Sequence, residues 1–178
     1  FFFFKQKTAY EITYGDWSSD VCSSDLVARL IREAWEAGLS QAIVTTSSRR
    51  AVEALACGVL GELRQAFSFW ICGEDVRRKK PDPEAYLQAL AGLGLAPATT
   101  LAIEDSANGV SAAHAAGVPV LVTRSASSAA EADAAFDPAA AVLDQLGEVA
   151  APLTVQRGPA CPGGQVTLSY LQQLLPAP

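Results

Sequence analysis

The sequence predicts an α/β protein built on a parallel sheet with flanking helices. Three observations point there. Short apolar runs recur at residues 41–46 (QAIVTT), 67–72 (FSFWIC), 100–104 (TLAIE) and 118–123 (VPVLVT). Segments with helical periodicity or helix-start signals lie between them. The runs are apolar throughout rather than alternating, as strands covered on both faces are. Strands that alternate with helices in this way form βαβ units.

Each element has its own local reason. Val27, Leu30, Ile31, Ala34 and Trp35 fall at i, i+3, i+4, i+7 and i+8, which predicts an amphipathic helix ended by Gly38. The strand at 41–46 follows. Ser47 and Ser48 can cap a second helix carrying Val52, Leu55, Val59 and Leu63. After the strand at 67–72, Asp82 is the expected cap of a third helix, with Pro83 at its first position. A fourth, Ala-rich helix spans 106–117 and stops at Gly117. Residues 140–143 suit a fifth strand. Beyond Val155 the chain becomes rich in Pro and Gly, and a last amphipathic turn at 168–175 can dock or fray. The expected division is therefore 1–26, 27–155 for the α/β core, and 156–178 for the tail.

Composition narrows the function classes. The chain has 178 residues, half of them apolar, enough for one ordinary core. Net charge is −6, and the longest basic run is Arg77 to Lys80. That argues against nucleic acid, whose phosphates demand clustered positive charge. No apolar run is long enough to span a membrane. Cys22, Cys57, Cys72 and Cys161 show no paired spacing, so no zinc site and a reducing, cytoplasmic setting are expected.

In an open parallel sheet, ligands bind beyond the carboxyl ends of the strands. Thr45 and Thr46 lie there, and their hydroxyls with the N–H groups of a helix start suit a phosphate; ordinary capping is the competing reading. Lys80 precedes Pro81, which biases it to an extended conformation and lets it aim an ammonium into the cleft, or simply extend a solvated basic run. Glu104 and Asp105 end an apolar strand. Adjacent carboxylates repel without a cation, and Mg²⁺ binds through one or two carboxylates plus substrate phosphate; an acidic helix cap is the alternative. Glu74 and Asp75 read as a solvated loop, and His114 as a surface or packing residue.

Taken in order, the strings AIVTTSS, RKKPDPEAY and LAIEDSANGVSAAHAAGVPV resemble the second, third and fourth motifs of the haloacid dehalogenase (HAD) superfamily. The resemblance is to subfamily I, with its β-phosphoglucomutase-like and CbbY-type phosphatases, and it runs from about Val27 to Leu143. It implies a Rossmann-like sheet and a Mg²⁺-dependent phosphohydrolase acting on a small phosphorylated metabolite such as a sugar phosphate, the parent protein being a monomer. Thr45 would bond the phosphoryl oxygens, helped by the Thr46 N–H; Lys80 would neutralise the phosphoryl charge; Asp105 would ligate Mg²⁺ with Glu104 as its partner. A phosphomutase of the β-phosphoglucomutase type is the first alternative. A receiver-like or phosphate-binding domain without catalysis is the second, although a receiver would place its acidic pair first.

The family's first motif, a strand ending in Asp-x-Asp-Gly-Thr, supplies the nucleophile and the general acid/base. No such string occurs here. The cap that chooses the substrate, inserted after that motif in the family, is missing as well. Residues 5–12 (KQKTAYEI) and 16–26 (DWSSDVCSSDL) back-translate into strings resembling the reverse adapter of a short-read sequencing library, in the right order and one frame. With the absence of any Met, this predicts a gene fragment that lacks its first strand and cap and is inactive as it stands. Residues 9–14 (AYEITY) are strand-prone enough to occupy the vacant slot.

Overall fold

The computed structural model describes residues 2–4, 17–124, 128, 130–148 and 150–177, those before Leu26 by backbone only. Among them seven strands form one sheet in the order β3-β2-β1-β4-β5-β6-β7. The strands are β1 (Phe2–Phe4), β2 (Gln41–Val44), β3 (Phe67–Ile71), β4 (Leu101–Glu104), β5 (Val120–Thr123), β6 (Ala141–Leu143) and β7 (Val155–Arg157). All pairings are parallel except β6 with β7. The strand order steps one way from β1 to β3 and the other way from β4 to β7, so the switch point lies at β1 and β4.

Strand alternation sorts the core into two layers. Ile43, Leu101, Ile103, Leu121 and Leu143 face one side, with α1 (Trp17–Glu36) and α5 (Leu168–Gln173) packed on that layer. Ala42, Val44, Ala102, Val120 and Val122 face the other, against α3 (Glu84–Leu93) and α4 (Ala107–Ala115). Ser48 caps α2 (Arg49–Leu55) by accepting from Ala51 N–H, and Ser106 caps α4 by accepting from Gly109 N–H. Leu30 and Ile31 on α1 are fully buried, each contributing about 1.5–3 kcal/mol of transfer free energy.

Several expectations are revised. The first helix starts at Trp17 rather than Val27. Leu26 extends the stripe of Leu30 and Ala34 by one turn and is buried in the same layer. The second helix does not run unbroken to Leu63: after α2 it widens into a π turn at Ala56–Leu60 and tightens to 3₁₀ at Gly61–Ala66. Gly58 falls in the π turn, and Gly61, at φ 53°, sits where the geometry changes. β3 is an edge strand, buried only at Phe67, and one residue shorter than expected. Pro83 is itself the cap of α3, and Asp82 Oδ1 accepts from Glu84 N–H at 3.0 Å.

The slot between β2 and β4 is occupied. Phe2–Phe4 pairs with both, Phe3 lying level with Ala42 and Ala102. Residues 9–14, expected to suit that slot, lie outside the described residues. At the other end, β7 covers the edge of β6, while Tyr170, Leu171 and Leu174 of the final segment are buried. Thr167 caps α5 through Tyr170 N–H. No described helix is long and apolar enough to cross a membrane.

Candidate active site

The carboxyl ends of β2 and β4, with the loop after β3, bring the expected residues to one place. Thr45 follows β2 directly and is buried; its Oγ1 accepts from Ser47 N–H at 3.1 Å, turning the chain toward α2. Gly73 holds the β3 loop against this turn, because a Cβ there would lie 2.3 Å from the Thr46 carbonyl oxygen. Its N–H donates to Ser47 O at 2.8 Å.

Lys80 enters the interior between these elements. Its peptide bond to Pro81 is cis. The side chain is 1 % exposed and pairs with Glu104, itself 0 % exposed. Nζ donates to Val44 O at 2.9 Å, to Tyr86 Oη at 3.3 Å and to Glu104 Oε1. Each of the three ammonium protons thus meets an acceptor. Tyr86 Oη in turn donates to Glu104 Oε1 at 2.5 Å, and its ring centroid lies 4.6 Å from Nζ. Burial first, then the Glu104 charge, pushes the Tyr86 phenol well above its usual range, so it stays protonated.

Glu104 Oε2 points the other way. It is buried and accepts no hydrogen bond among the described residues. Opposite it is Gly109, where a Cβ would fall 1.9 Å from that oxygen. Asp105 is half-buried beside it. This pair fits Mg²⁺ in donor chemistry: two hard carboxylates, one with an unsatisfied buried oxygen facing a side-chain-free notch. No group of three or more His, Cys, Asp or Glu that could hold a metal occurs among the described residues. The two carboxylates would leave the remaining positions to water and phosphate, which Mg²⁺ prefers.

Glu74 and Asp75 lie in an exposed loop, as expected, and that loop is held by hydrogen bonds. Glu74 accepts from Arg49 N–H at 3.0 Å, while Asp75 takes Arg49 Nη2 at 2.6 Å and Cys72 N–H at 2.7 Å. The loop beneath the cleft is tied to the start of α2. Lys80 reaches the carboxyl ends of β2 and β4, where its ammonium pairs with Glu104, because a buried ammonium needs a counter-charge. Tyr86 and Gly109 are not among the residues the sequence singled out. The spacing from Lys80 to Tyr86, across Pro81 and into the first turn of α3, was the available signal. His114 is exposed on α4. A separate cavity of about 700 Å³ lies between α1 and the turns after α2, lined by Trp35, Val59 and Leu63 among others, and none of the five expected site residues borders it.

Fold and site together define a doubly wound α/β protein with a cation and two carboxylates gathered at the switch point of the sheet. A haloacid dehalogenase-like hydrolase family profile matches residues 16–117, and the chain belongs to that family. It is 44 % identical over 128 residues to a plasmid-borne CbbY protein of Cupriavidus necator, covering 71 % of this chain and 49 % of that protein. It is 37 % identical over 93 residues to a phosphorylated carbohydrates phosphatase of Thermotoga maritima, covering 49 % of this chain and 42 % of that one. Among solved structures, a mutant CbbY of Rhodobacter sphaeroides in complex with xylulose-(1,5)bisphosphate superposes with a TM-score of 0.64 at 38 % identity, over 70 % of this chain and 56 % of that one. The chain spans about half the length of the curated relatives it matches.

Proposed function

We propose that the chain is the core of a Mg²⁺-dependent phosphatase for a small sugar phosphate. The observation that carries the reading is the convergence of Thr45, Lys80, Glu104 and Asp105 on one cleft, with Glu104 Oε2 left unsatisfied. The relatives' sugar-phosphate ligand and phosphatase names support it.

Each residue has a role in this reading. Thr45 Oγ1 donates to a phosphoryl oxygen, with the Thr46 N–H beside it. Lys80 supplies positive charge beneath the phosphoryl group, in a dry site where electrostatics are strong. Glu104 and Asp105 hold Mg²⁺, which when bound adds positive charge against the phosphoryl oxygens. The nucleophile is the missing part. In this family it follows the central strand, and the residues after Phe4 are Lys5, Gln6, Lys7, Thr8 and Ala9, with no carboxylate. The chain therefore binds phosphate without forming an aspartyl-phosphate. The experiment is a phosphate-binding titration of the full chain with and without Mg²⁺. Binding that strengthens with Mg²⁺ and weakens in Asp105→Asn supports the reading, and Mg²⁺-independent binding contradicts it.

A further inference from the structure

Glu104 is gripped from two sides, by groups that differ in kind. On one side Tyr86 Oη donates to Oε1 at 2.5 Å and accepts from Lys80 Nζ at 3.3 Å, with the ring 4.6 Å from the same ammonium. On the other, Gly109 leaves only a notch, into which Oε2 points. All four residues are buried. A carboxylate held only by an ammonium can rotate about its last torsion, which is broad and two-fold. A second donor to the same oxygen removes that freedom.

We propose that Tyr86 is a positioning residue that divides the Glu104 carboxylate: Oε1 is locked to Lys80, and Oε2 is presented with Asp105 to a hard divalent cation. The proposal rests on the phosphatase reading above and deepens it. Mg²⁺ demands near-octahedral geometry, and one oxygen from each carboxylate suits it better than both from one. Outer-shell donors that orient a ligating carboxylate affect metal affinity strongly when removed. Tyr86 also ties two halves of the site together, since it stands on α3 while Glu104 ends β4. The hydroxyl therefore serves Lys80 and Glu104 at once.

The test is isothermal titration of Mg²⁺ into the full chain, comparing wild type, Tyr86→Phe and Glu104→Gln below their melting transitions. Tyr86→Phe keeps the ring and its cation contact, and the expected result is an Mg²⁺ dissociation constant raised about tenfold. An unchanged constant in Tyr86→Phe, with binding abolished in Glu104→Gln, overturns the Tyr86 role and leaves the metal site standing. A wild-type chain that binds no Mg²⁺ overturns both. Should Tyr86→Phe fail to fold, wild-type chain labelled at the tyrosine ζ-carbon answers the same question. The Tyr86 resonance is expected to move along the Mg²⁺ isotherm, and a resonance that stays still through saturation overturns the proposal.

Discussion

Replacing Lys80 by Met probes the buried ion pair directly. Lys80 and Glu104 are 1 % and 0 % exposed at their side chains. Met keeps the length of the stem and removes the charge. Glu104 Oε1 then retains only the Tyr86 hydroxyl, and Val44 O loses its 2.9 Å donor. Removing one partner of a buried pair costs about 3–5 kcal/mol, which for a chain of this size lowers Tm by roughly 6–20 °C. Much of that cost belongs to the stranded carboxylate. The double variant Lys80→Met, Glu104→Gln is therefore expected to recover most of it, giving a coupling energy of at least about 2 kcal/mol in the double-mutant cycle. The assay is urea denaturation followed by circular dichroism. A single-variant loss under about 1 kcal/mol, or additive losses in the cycle, would refute the claim that the charges depend on each other in a dry interior.

Other expectations follow from the same geometry. Gly109→Ala gains up to about 1 kcal/mol in helix propensity, but its Cβ meets Glu104 Oε2 at 1.9 Å; a net loss of about 1–3 kcal/mol is expected by denaturation, and net stabilisation would contradict the notch. Backbone hydrogen bonds from Arg77 first, then Arg78, hold the Glu84 carboxyl below its usual value. Its contribution is thus present above the ordinary carboxylate pKa and lost as pH falls through the lowered one, so Glu84→Gln should flatten the acid limb of the stability profile, and an unaltered limb would count against it. Burial raises the Cys72 thiol pKa, so its contribution is complete below the ordinary thiol pKa and lost as pH rises through the raised one. In an iodoacetamide time course, exposed Cys57 should react faster than Cys72 by more than about tenfold, and equal rates would show that the β3 loop opens freely.

The layers of the fold were legible because period and punctuation agreed. Apolar runs at β2, β4 and β5, with Ser48 as a cap and Gly117 as a stop, specify local structure without tertiary help. What resisted reading was set by tertiary contacts. Phe2–Phe4 becomes a strand because β2 and β4 leave a slot whose backbone groups need partners, which no local pattern in four phenylalanines announces. The partners of Glu74 and Asp75 were not legible, since Arg49 is brought beside these exposed carboxylates only by the crossing from α2 to β3. Tyr86 looks like an ordinary core residue of α3, since only the fold shows that its hydroxyl meets Lys80 and Glu104. Thr45, Thr46, Glu104 and Asp105 stood out as candidates because they lie at or just past strand ends, where a parallel sheet concentrates its chemistry, and Lys80 because it directly precedes Pro81.

The most direct measurement uses the full chain, Mg²⁺ and a sugar bisphosphate, with released phosphate followed over time and inorganic phosphate binding measured in parallel. The account predicts Mg²⁺-dependent phosphate binding and no phosphate release above buffer. Steady Mg²⁺-dependent release that Lys80→Ala abolishes would contradict it, because it would place a working nucleophile in a chain read as having none.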